Sequence, residues 1–175
     1  MRANVVRWKN IPVVKKRESR WEQQRQKILL ASAHLFWQKG FLGTSINDIA
    51  KAAKVNKAIV YYYFKNKASL LYEIMSGILR GLIDQGIQIS NSGIPPRAKL
   101  EALVKNHIMW QASNYGFSGL GYMERKNLPP KLLRDYMSLR DEYEKLFHET
   151  IKQGVACGDF NAQIRNWQLS SVWGW

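Results

Sequence analysis

The stretch from Thr44 to Lys67, TSINDIAKAAKVNKAIVYYYFKNK, narrows the possible folds more than any other part of the chain. Apolar Ile46, Ile49, Ala50, Ala53, Val55, Val60 and Phe64 recur at helical spacing, with a break near Lys54. The pattern predicts two short helices around a tight turn, then the start of a longer third helix. Neither short helix is stable alone, because nucleation costs more than one or two turns of hydrogen bonds return. Each must therefore pack on its neighbours. The caps agree with this division. Thr44 or Ser45 suits the first helix, where Ser45-x-x-Asp48 resembles a capping box; Asn56 suits the second and Asn66 the third.

Between the buried positions lie Ser45, Asn47, Asn56, Lys57, Ile59, Tyr61, Tyr62, Tyr63 and Lys67, with Asp48 as the only acid. This set is cationic, hydroxylated and aromatic, as a helix lying in a DNA major groove between two phosphate rails requires. Neighbouring helical residues lie about 100° apart, so Tyr61, Tyr62 and Tyr63 cannot all be buried and at least one faces outward. Lys67 falls at a helix N-terminus, a poor place for a cation unless an anion such as a phosphate sits there.

The run from Ile28 to Leu71 resembles the DNA-binding domain of TetR-family repressors. The matching residues are Ala31, Leu35, Phe36, Gly40-Phe41, Thr44-Ser45, Asp48-Ile49-Ala50, Ala53, Val55, Lys57, Tyr61, Tyr63-Phe64, Lys67 and Leu70-Leu71, in order and without gaps. The resemblance implies an all-α fold, in which a three-helix helix-turn-helix domain precedes a helical ligand-binding and dimerisation domain. It implies DNA contacts from Ser45, Lys57, Tyr61, Tyr63 and Lys67, and base readout from Asn47, Ala58, Ile59 and Tyr62; Ser45, Tyr61, Tyr63 and Lys67 are expected to hold phosphates and Lys57 to reach guanine O6 and N7. Two positions depart from the family pattern. Lys54 stands where the turn usually has glycine, and positive φ there would cost about 1–2 kcal/mol, so a differently shaped turn is expected. Ala58 replaces a frequent glycine or proline and still lets the helix approach bases closely.

Charge divides the chain in the same place. Residues 1–67 hold 15 Lys and Arg against 3 Asp and Glu, a balance of +12 out of the total of +14. A basic third on a near-neutral remainder fits a polyanion-binding module joined to a second module. The expected division is a basic arm over 1–18, a DNA-binding domain over 19–66 and a regulatory domain over 67–175. The arm carries six Lys and Arg without helical period. It is either a tail without fixed structure or a strand that lies along DNA.

The rest of the chain reads as helices. Ser19-x-x-Glu22 opens the first, with Trp21, Ile28, Ala31, Ser32, Leu35 and Phe36 as its buried stripe and Gly40 at its end. A long fourth helix runs from near Lys67 to about Ile89, and Pro95-Pro96 opens the fifth. Ser113 to Gly121 reads as a loop or a short irregular helix. A helix spans about Pro130 to Gln153, ended by Gly154 and Gly158, and another starts after Asn161 and stops on Trp175. TetR-family proteins pair through their last two long helices, so a homodimer is implied, with either a longer natural chain or an unusual contact. His107, Met109, Trp110, Tyr115, Phe117, Tyr122 and Met123 suit an apolar effector pocket, though an ordinary core explains them equally well. The stretch from Tyr122 to Phe160 is similar to TetR-type regulators of fatty-acid and steroid breakdown, some of which bind acyl-CoA esters.

No enzyme constellation stands out, and no cofactor or metal is expected. His34, His107 and His148 are scattered; Glu144 and His148 share a helix face without a third ligand. The lone Cys157 fits a reducing compartment, and no apolar run reaches the roughly 18 residues of a spanning helix, so the expected location is cytoplasmic. The expected function is a ligand-responsive transcription repressor that binds a palindromic double-stranded operator as a homodimer. The alternatives are a non-specific nucleic-acid or anionic-membrane binder and, further off, a small helical enzyme.

Overall fold

A computed structural model describes residues 19–113 and 119–161. The described residues form seven α-helices and no strand. These are α1 (Arg20–Lys39), α2 (Ile46–Ala53), α3 (Lys57–Tyr63), α4 (Lys67–Ser90), α5 (Pro96–Ser113), α6 (Leu120–Glu124) and α7 (Pro130–Cys157), with a 3-10 turn over Arg125–Asn127. The expected all-α class holds.

Local chemistry explains most of the boundaries. The Ser19 hydroxyl accepts from Glu22 N at 3.2 Å and opens α1. Gly40 closes it at φ 73°, where a side chain would be strained. Gly158, at φ 86°, closes α7. Gly154 does not end that helix, contrary to expectation, and α7 runs on to Cys157. A Cβ at Gly154 would overlap the Phe160 ring, so the glycine makes room for packing. The tail after residue 161 lies outside the described residues, as does the arm before 19.

The helices group into two compact units. The first contains α1 to α3, α4 as far as Ile78, and the segment from 119 to Tyr136. Its core is built from Ile28, Leu29, Ala33, Phe36, Ile49, Val60, Phe64, Leu70 and Leu71, all buried. Arg25 ties α1 to α4 through Glu73 at 2.7 Å, while its guanidinium lies over the Phe64 ring. Trp21, expected in the buried stripe, is 48% exposed. It sits a turn beyond the core and packs on Tyr63 instead, with ring centroids 5.2 Å apart. The second unit contains the rest of α4, α5 and α7 from Met137. There Leu103, Phe147 and Ile151 are buried, and Arg97 clasps the end of α7 by donating to the Asp159 carbonyl at 2.8 Å.

Candidate nucleic-acid interface

The reading head depends on three caps set in series. Ser45 and Asp48 form a complete capping box on α2: Asp48 N donates to Ser45 Oγ at 3.1 Å and Ser45 N donates to Asp48 Oδ2 at 2.9 Å. Those bonds hold the Asp48 carboxyl below its usual range. Asn56 Oδ1 accepts from Ile59 N at 2.9 Å and starts α3; Asn66 Oδ1 accepts from Ser69 N at 2.8 Å and starts α4. The turn between α2 and α3 departs from expectation. Lys54 adopts the left-handed conformation, φ 56° and ψ 47°, and its N–H bonds back to α2 carbonyls. The turn thus keeps the shape that glycine usually serves, and lysine bears the strain.

The exposed side of this head carries nearly all of the expected residues. Ser45, Asn47, Asn56, Lys57, Ala58, Tyr61 and Tyr62 are exposed, and Ile59 and Tyr63 are half-buried. Tyr62 is the most open of the three tyrosines at 73%. Tyr63 is held between Trp21 and the edge of Tyr62, so the tyrosine run divides into outward Tyr61 and Tyr62 and a half-buried Tyr63. Lys57 lies along its own helix, its ammonium 5.8 Å from the Tyr61 ring centroid. A hollow of about 520 Å³ beside α3 is lined by Trp21, Asn56, Ile59, Tyr62 and Tyr63, and also by Arg20 and Gln24 from the first turn of α1. The sequence reading missed these last two; their only signal is a polar i, i+4 pair at the start of α1.

Lys67, expected to hold a phosphate, is half-buried. Its ammonium donates to the Phe41 and Thr44 carbonyls, each at 2.7 Å, and lies 4.3 Å from the Phe41 ring centroid. A cation at a helix N-terminus is here stabilised by backbone carbonyls of the turn between α1 and α2.

The expected effector residues fall in both units. His107, Met109 and Trp110 belong to the second unit, while Tyr122 and Met123 belong to the first; Tyr115 and Phe117 lie outside the described residues. Met109, Tyr122 and Met123 are exposed. His107 is buried, with Nδ1 3.1 Å from the Tyr143 hydroxyl and Nε2 2.7 Å from the Gln111 amide nitrogen. Burial pushes the imidazole down to about 3 and the Tyr143 hydroxyl upward. His107 is therefore neutral near neutral pH. Among the described residues, no group of three or more His, Cys, Asp and Glu is placed to hold a metal ion.

Comparison with known proteins agrees with this architecture. Residues 28–74 match the family described as bacterial regulatory proteins, tetR family, and residues 93–171 match the tetracyclin repressor-like C-terminal domain. The chain is 31% identical over 142 residues to the HTH-type transcriptional repressor KstR2 of Rhodococcus jostii (strain RHA1), across 81% of this chain and 70% of that one. It is 30% identical to the probable HTH-type transcriptional regulator YttP of Bacillus subtilis (strain 168), across 74% of this chain and 64% of that one. Its fold is similar to the TetR-family regulator PfmR from Thermus thermophilus, with TM-score 0.73 and 29% identity over 84% of this chain and 78% of that one. The fold alone is shared with FadR from Bacillus subtilis, solved in complex with stearoyl-CoA, with TM-score 0.70 and 17% identity over 85% and 78% of the two chains.

An all-α protein with a helix-turn-helix head and a helical C-terminal region is thus a DNA-binding transcriptional regulator. The chain belongs to the TetR family. Its relatives are named as transcriptional regulators, which are not enzymes.

Proposed function

We propose that the protein is a repressor that holds a palindromic operator as a homodimer and releases it when a small apolar or acyl-CoA-type effector binds. The observation that carries this reading is the outward face of α3, where Lys57, Ala58, Tyr61 and Tyr62 are exposed on a helix capped by Asn56. In this reading α3 enters the major groove and Lys57 reaches guanine O6 and N7. Asn47, Ala58, Ile59 and Tyr62 face base edges, and Ser45, Asn56, Tyr61 and Tyr63 hold the flanking backbone. Two copies engage half-sites about one helical turn apart. Effector acts by preferring the conformation that binds DNA less well. For the acyl-CoA class the support is the resemblance of the C-terminal region and the fold shared with FadR.

The test is selection of bound duplexes from a random pool, with and without palmitoyl-CoA and stearoyl-CoA. The expected result is a palindrome whose enrichment drops when acyl-CoA is added. Recovery of no sequence above scrambled competitor at moderate salt would refute specific DNA binding. An enriched palindrome indifferent to both esters would refute only the effector class.

A further inference from the structure

The turn that joins α1 to α2 is gripped from both sides by charged groups. On one side Glu124, at the end of α6 and only 8% exposed, accepts the Phe41 N–H on Oε1 at 3.1 Å. Its other oxygen accepts from Asn127 Nδ2 at 2.6 Å. On the other side the Lys67 ammonium takes the Phe41 carbonyl and, three residues on, the Thr44 carbonyl. The Thr44 hydroxyl, itself buried, is within bonding distance of the Leu35 and Gly40 carbonyls with one proton to share. One short turn thus has its donors and acceptors matched to a carboxylate and an ammonium drawn from two different helices. The next residue is Ser45, whose hydroxyl and N–H build the α2 capping box.

We propose that Lys67 and Glu124 are positioning residues for DNA binding, which act through the turn at Phe41–Thr44 on the placement of Ser45 and α2. The proposal rests on the operator-binding reading above and deepens it. Glu124 lies within the stretch that matches the C-terminal domain, yet it bonds to the head. It is one point at which that region holds the head. Charged hydrogen bonds are worth more than neutral ones, and their loss would take these partners from the Phe41 N–H and the Thr44 carbonyl, while the Phe41 carbonyl keeps its bond from the Thr44 N–H at 3.3 Å.

Salt dependence separates this role from direct phosphate contact. Each lost phosphate contact lowers the slope of log K against log salt by about 0.9. A positioning residue lowers affinity and leaves the slope alone. Lys67→Met and Glu124→Leu should each weaken binding to the duplex selected by the wild type by about tenfold or more, with unchanged slope. Glu124→Gln, which keeps an acceptor for the Phe41 N–H, should restore most of the affinity. The double variant should lose less than the product of the single losses, because both residues act on one turn. A slope reduced by about one in Lys67→Met, or multiplicative losses in the double variant, would overturn the proposal.

Hydrogen exchange in the free protein reads the grip without DNA. Amides from Phe41 to Asp48 should exchange faster in Lys67→Met and Glu124→Leu but not in Glu124→Gln, while the core of α1 keeps its protection. Unchanged exchange at this turn would also overturn the proposal. A wild type that selects no duplex would refute the operator reading and leave the exchange result to judge the grip.

Discussion

Lys54 shows how much strain a single residue can carry when its neighbours are fixed. Its left-handed conformation costs a lysine about 1–2 kcal/mol that glycine would not spend, less the greater freedom glycine has in the unfolded chain. Lys54→Gly should therefore raise stability by about 1 kcal/mol, as read by urea denaturation. Lys57 lies on the outward face of α3 and in the proposed complex reaches a guanine. Lys57→Ala should cost about 1–3 kcal/mol of operator affinity and relax the base preference at one position of each half-site, measured by titrating single-base operator variants. At this scale the sequence was legible where the neighbours are local. Spacing alone marks Asn56 and Asn66 as caps and narrows the first to Thr44 or Ser45; Asn56, Asn66 and, of that pair, Ser45 make the bonds. Lys67 was not legible, because its partners lie 23 and 26 residues away and are backbone carbonyls, which no sequence pattern marks.

Among the elements, α4 sets two kinds of glycine side by side. A Cβ at Gly86 would press on Leu146, so packing accounts for that residue. At Gly77 a Cβ meets nothing within 4 Å among the described residues, and the backbone is helical. Gly77→Ala should stabilise the protein by about 0.5–1 kcal/mol through helix propensity, while Gly86→Ala should not; thermal melts of the two variants check the contrast. The same distinction separates Gly154 from Gly158. Both looked like helix stops in the sequence, but only Gly158 has positive φ, and Gly154 is small because Phe160 lies against it. Composition shows where a glycine is, not whether a turn or a neighbour requires it. Trp21 taught a similar lesson: periodicity put it on the apolar stripe, but the core ends before it reaches that turn.

For the molecule as a whole, the buried His107 links pH to stability. Its folded-state value near 3 lies below the ordinary 6.5, so the unfolded chain binds the extra proton between those limits. The contribution is complete above about pH 6.5 and falls as pH drops toward 3, with a slope of up to about 1.4 kcal/mol per pH unit for this group. Urea denaturation from pH 7.5 to 4 should show this loss, and His107→Gln should make the acid limb shallower. The compact units also cut across the sequence order. The segment from 119 to Tyr136 joins the head, although its sequence matches the C-terminal domain.

The amino-acid order alone determined the all-α class, the helix-turn-helix with its caps, the outward face of α3 and the family, because each of these is written in spacings of three or four residues or in a contiguous run. Tertiary structure alone decided that Lys54 turns left-handed, that Lys67 bonds to the Phe41 and Thr44 carbonyls, and that Glu124 holds a turn 83 positions away. The physical reason is common to all three. A charged or strained residue is settled by which unmatched backbone groups it meets, and those groups come together only when distant helices have packed.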